Sequence, residues 1–313
     1  MRFSVILSAS LLTASTLPAQ RPVPSEGQWL IERSNRPDMI QLNIRYGDDL
    51  HSSNWGRRMP LSELAGLSAA DMEGSGTVVH FRIVRSAGTL SCEGWFKGGK
   101  GSGHFTYQPN PGFAAELARR GIGAPTEWEQ FTMTMAGVGL DLVDELKRQK
   151  YETPTTAELA RMGTHGADLE YLRNVGRLGY RLGNSAGLVR MRDHGVDPDF
   201  IESLNGAGYR NLDAEALVRL RDHGVSEDYI ADMKEMGYAP ADPEDLVESR
   251  DHGVDPRYIR SLREAGYDSL SLSELRRARD HGVTKNFILD VKARGYGRVS
   301  LNEIIRLRDR GLN

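Results

Sequence analysis

Cysteine is nearly absent: the 313-residue chain has one, Cys92. A single thiol excludes an intrachain disulfide and a cysteine-based zinc cluster. A basic excess is absent too. The formal charge is −3, and removing a leader whose only charge is Arg2 leaves −4. That balance argues against a general nucleic-acid binder. Beyond residue 19 no long apolar run occurs, so nothing in the mature chain reads as a transmembrane segment. What is present suffices for real cores. Hydrophobic residues make up 39% and charged residues 27%, which excludes generic disorder, and the length suits about two domains.

Residues 1–19 read as a secretory signal peptide. Arg2 supplies the charged start, Phe3 to Leu17 is mostly apolar and short, and Leu17-Pro18-Ala19 resembles a small-residue cleavage site. The expected location is therefore periplasmic or secreted, where ATP and dinucleotides are scarce, and no cofactor is expected. Cys92 lies in the strand-like run Leu90-Ser91-Cys92-Glu93-Gly94-Trp95-Phe96 and shares a face with Leu90 and Phe96. It reads as an inert core thiol.

From Asn110 onward the chain repeats every 29 residues without an insertion. One copy runs Leu188-Val189-Arg190-Met191-Arg192-Asp193-His194-Gly195-Val196-Asp197-Pro198-Asp199-Phe200-Ile201 and ends at Gly208-Tyr209. The first leucine recurs at Leu159, Leu217, Leu246 and Leu275, and as Ile304. The aromatic recurs at Tyr171, Tyr229, Tyr258 and Phe287. Each unit reads as two short helices. Gly195 suits a left-handed helix end, Asp197 an N-cap and Pro198 the first helical position. Lys150 takes the glycine position at one helix end and should be strained. Helices this short are marginal alone and must stack. The reading is thus α+β: an antiparallel β-domain over 25–108, a sandwich or half-barrel, followed at 110–313 by an α-solenoid of about seven two-helix 29-residue repeats. With almost no linker at Asn110-Pro111, rigid packing of the two is expected.

In the β-domain, strands are expected at Trp29–Ile31, Ile40–Ile44, Val78–Val84, Leu90–Phe96 and His104–Tyr107, with a short helix starting near Ser62. Trp29, Trp55 and Trp95 are expected to be mainly core.

Several motifs look chemical and read better as structure. Gly183-Asn184-Ser185-Ala186-Gly187 matches a nucleophile elbow but falls in an inter-repeat turn, where Asn184 suits an N-cap. Gly94 to Gly101 nearly matches a phosphate-binding loop, but Gly101 replaces the magnesium-binding hydroxyl and the segment joins two strands. His165, His194, His223, His252 and His281 occur once per repeat, which spreads them too widely for one metal ion; they read as helix C-cap residues. The Asp of each Arg-Asp pair (Asp193, Asp222, Asp251, Asp280, Asp309) opposes its helix dipole. It should pair with an arginine or cap a neighbouring helix. Arg192, Arg221, Arg250 and Arg279 are the candidate binding surface for an acidic ligand. No catalytic or metal-ligating set is assigned.

The Arg-Asp-His-Gly-Val and Gly-Tyr repeats behind a β-domain, with Gly88-Thr89-Leu90 and Gly101-Ser102-Gly103-His104-Phe105-Thr106, resemble uncharacterised secreted bacterial proteins. They are also similar to the extracytoplasmic repeats of membrane metallopeptidases of the β-lactam-sensor type. The peptidases' His-Glu-x-x-His motif is absent, so the resemblance implies a sensing or adaptor module without an activity. The function expected is a non-enzymatic binding or scaffold module whose partner is another envelope protein. The alternative is a ligand-binding or hydrolytic β-domain with its site there or at the domain junction, built from His80, Glu93, Lys100 and His104.

Overall fold

The computed structural model describes residues 23–36, 38–47, 52–239 and 242–312. The leader and His51 lie outside them. The chain divides into two compact units. Among the described residues, one takes in those up to Ile83 together with Leu90–Gln108; the other takes in Val84–Thr89 together with those from Pro109 onward.

The first unit is one curled antiparallel sheet of seven strands. These are β1 (Glu26–Arg33), β2 (Met39–Gly47), β3 (Ser52–Pro60), β4 (Leu64–Ala65), β5 (Ser75–Val84), β6 (Gly88–Lys97) and β7 (Lys100–Pro109), in the order β3-β2-β1-β7-β6-β5-β4. A continuous sheet replaces the two facing sheets of a sandwich. The five expected strands are present, and β3 and β4 are additional. The helix expected near Ser62 is a single 3₁₀ turn, Leu61–Glu63. The α-helix comes later, at Ala69–Met72, where Ser68 and Asp71 form a reciprocal capping box. Ser62 has no such partner.

Alternation along the strands decides what is buried. Trp29 and Ile31 on β1, Ile40, Leu42 and Ile44 on β2, Phe81 on β5, Phe96 on β6 and Phe105 on β7 are all nearly inaccessible. Trp29 holds the centre. Its ring centroid lies 5.0 Å from that of Phe81, edge-on, and 5.5 Å from that of Phe96. The indole can lie there because Gly94 and Gly103 have no side chain: a Cβ on either would come within 2.4 or 2.7 Å of Trp29 Cζ2. The indole N–H is satisfied by Glu93 O at 3.2 Å and His104 O at 3.1 Å, as a buried donor must be.

The second unit is built of short helices. One set starts at Pro111, Leu140, Leu169, Pro198, Glu227, Pro256 and Lys285. A second set starts at Glu127, Thr156, Ser185, Ala214, Glu244, Leu272 and Leu301. Within a set the starts are 29 residues apart, with Glu244 one residue late. Each helix packs on the next member of its own set. The caps follow the sequence logic. Asp197 accepts from Phe200 N at 2.9 Å with Pro198 first in the helix, and Tyr209 N closes on Leu204 O at 2.9 Å. Lys150 does sit in the left-handed region, at φ 63°. Leu188, Met191, Phe200, Ile201 and Leu204, with their counterparts in the other copies, form one continuous apolar core. Among the described residues, no helix is long and apolar enough to cross a membrane.

Candidate functional site

The Arg-Asp-His-Gly motif is where the sequence placed its candidate surface. The structure places all four residues between copies. Histidine Nδ1 reaches the aspartate one copy on: His165–Asp193, His194–Asp222 and His252–Asp280 at 2.6 Å, and His223–Asp251 and His281–Asp309 at 2.8 Å. The aspartate's partner is thus a histidine, and not the arginine or helix N-terminus expected from the sequence. Each histidine is the C-cap residue of its helix. Its ring therefore projects from one helix end toward the matching end of the next, where the aspartate stands. An opposing imidazole offsets the unfavourable position of that aspartate on its own dipole.

The arginines point backward. Arg192 lies over Tyr171, Arg221 over Phe200, Arg250 over Tyr229, Arg279 over Tyr258 and Arg308 over Phe287, 4.2–5.3 Å from the ring centroids. Arg221 Nε donates to Gly195 O at 2.7 Å and Arg250 Nε to Gly224 O at 3.0 Å. Arg221 also meets Glu227 at 2.8 Å and is only 19% exposed. The motif glycine ends its helix with positive φ, and the incoming guanidinium lies beside it: at Gly224 a Cβ would be in ordinary contact, 3.4 Å, with Arg250 Nε. The rings stacked by arginine include tyrosines whose hydroxyls donate onward: Tyr171 to Val196 O at 2.8 Å, and Tyr229 to Val254 O and Tyr258 to Val283 O at 3.0 Å. Burial pushes the Tyr229 and Tyr258 hydroxyls up to about 12.

The three motif-like segments behave as structure. Asn184 caps its helix by accepting from Gly187 N at 2.8 Å, and Ser185 is the first helical residue, with no strand leading into it. Gly98 and Gly99, both at positive φ, turn β6 into β7. The Cys92 thiol is buried, which pushes it up to about 12, so it is not a nucleophile at neutral pH. Among the described residues, no group of three or more His, Cys, Asp or Glu side chains could hold a metal ion.

The solvent side of the sheet is different. His80, Glu93 and His104 come together along one open trough of about 760 Å³. His80 Nε2 stands 3.4 Å from Glu93 Oε2, both well exposed. Lys100 is not with them; it pairs with Glu32 at 3.1 Å in a second trough of about 380 Å³. The two troughs share Leu30, Trp95 and Ser102. Leu30 is 54% exposed, Val78 57% and Trp95 49%. Trp29 is core as expected, whereas Trp95 faces solvent. The signal was present in the alternation, since a strand that buries Cys92 and Phe96 turns Trp95 to the opposite face.

Compared with protein-family models, with curated proteins and with solved structures, the chain matches none.

Proposed function

We propose that the chain is a non-enzymatic extracytoplasmic binding and scaffold module. Its helical unit is read as an α-solenoid of about seven two-helix repeats, and its partner as another envelope protein. One observation carries this reading. Each motif Arg stacks on a ring of the copy before, each motif Asp pairs with the His of the copy before, and Gly195 and Gly224 accept from the Arg of the copy after. The first and last copies of the motif hold half the set. Gly163-Thr164-His165-Gly166 keeps the forward pair, while Arg308-Asp309-Arg310-Gly311 keeps the backward pair. Polar groups used this way tie each copy to the next. A stiff stack of repeats is suited to presenting a long contact surface.

The test is crosslinking of the mature protein in its own cell envelope, followed by a binding titration of the purified chain against the purified crosslinked protein. A single protein that binds saturably supports the reading. Crosslinks spread over many proteins, with no saturable binding, overturn it.

The open sheet face favours a second reading, in which the β unit binds a ligand. Two adjoining troughs lined by exposed apolar and polar side chains are its support.

A further inference from the structure

We propose that the open face of the sheet is a saccharide site that takes an oligosaccharide across the strands, with Trp95 as its stacking platform. The proposal rests on the ligand-binding reading of the β unit and specifies the ligand.

A sugar ring presents an apolar C–H face and a rim of hydroxyls. A matching surface needs an exposed aromatic ring, apolar neighbours and a surround of donors and acceptors without an excess of either charge. Trp95 is half exposed on a strand whose alternate residues are core. Leu30 on β1 and Val78 on β5 extend the apolar strip to either side. Gln28, Ser102, His104 and Thr106 supply the polar surround.

Charge separates this ligand from others. The carboxylates lining the two troughs are Glu32 and Glu93 and the ammonium groups are Lys97 and Lys100, so the fixed charges cancel. A nucleic acid or an acidic peptide would be met by a basic excess, and a lipid or an apolar helix by a wider strip without interleaved polar groups. Length follows from position. Trp95 lies where the two troughs join, so a ring stacked on it has room for further rings on both sides. That fits an oligomer better than a single sugar. The platform is also rigid from behind, because the indole of Trp29 packs across Gly94, the residue next to Trp95.

Tryptophan fluorescence of the mature protein, titrated with the tetramer of N-acetylglucosamine and with cellotetraose, tests this. Sedimentation with purified peptidoglycan sacculi covers a glycan too long to be soluble. Saturable binding to at least one of these is expected. Trp95→Ala should weaken it roughly tenfold or more, and Trp95→Phe should restore most of it. Both substitutions are on the surface, and unchanged melting temperatures confirm folding. Ser102→Arg, which fills the junction of the troughs, should also abolish binding. Binding of 8-anilinonaphthalene-1-sulfonate distinguishes a saccharide site from a ligand site of another kind. If that probe binds in a Trp95-dependent way and no glycan binds or competes, the saccharide assignment is overturned and the ligand-site reading stands. If neither probe nor glycan depends on Trp95, both fall.

Discussion

At the scale of single residues, the fold shows where side chains were left out to let others in. Gly94 and Gly103 are needed for Trp29, not for a turn. A methyl group at Gly94 would meet Ser102 O at 2.2 Å as well as the indole at 2.4 Å, and neither strand backbone nor a buried ring can move aside. Gly94→Ala should therefore destabilise the β unit by roughly 1–3 kcal/mol, the usual cost of overpacking. Denaturant unfolding with near-ultraviolet dichroism would show it as an earlier midpoint and a weakened tryptophan band. Lys150 is the opposite case. It occupies a left-handed position, φ 63°, at which the other copies carry glycine, and it is exposed, so little packing is lost with it. Lys150→Gly should raise stability by about 1 kcal/mol by removing the left-handed penalty. A urea midpoint that falls would show that the lysine stem packs usefully.

At the scale of elements, the helical half was legible and the sheet only partly so. A repeat helix is punctuated locally: Asp197, Pro198, Gly208 and Tyr209 mark its ends within a dozen residues, and copies reinforce one another. The partners of those helices were harder to read. His194 and Asp222 meet only because adjacent helices stack in register, and a 28-residue separation looks in sequence like two unrelated caps. In the sheet, β3 was invisible because Ser52–Pro60 carries Gly56, Arg57 and Arg58 where apolar alternation would be expected. The ladders also rank by burial. Arg219 meets Glu244 at the surface, 52% and 40% exposed, so Arg219→Ala should cost only ~0–1 kcal/mol. Arg221, 19% exposed, stacks 4.2 Å from the centre of Phe200 and donates to Gly195 O. Arg221→Ala should cost on the order of 2 kcal/mol, combining the stacking with charge-assisted hydrogen bonds to Gly195 O and Glu227. Thermal melts of the two variants side by side check the order; equal losses would mean that the guanidinium stacking contributes nothing.

At the scale of the whole molecule, acid and denaturant should act differently on the two units. The helical unit holds Glu145, 5% exposed, against Arg148, with Gln149 Nε2 donating at 2.6 Å. The Arg148 hydrogen bond, helped by Gln149, holds its carboxyl down at about 2, below the ordinary value of 4.5. The folded group is the stronger acid. Its ionisation therefore stabilises the native state above about pH 4.5, and that contribution fades as the pH falls toward 2. Glu145→Gln should flatten this part of the acid limb in unfolding followed by helical dichroism. The sheet unit should be indifferent to the substitution. That separation is measurable directly. Trp29, Trp55 and Trp95 all lie in the sheet unit, and only Trp128 lies among the helices. In a Trp128→Phe background, fluorescence then reports the sheet while far-ultraviolet dichroism reports chiefly the helices. Two compact units with separate cores should give two urea transitions that do not coincide. Coincident curves at every pH would mean that the chain unfolds as one cooperative body.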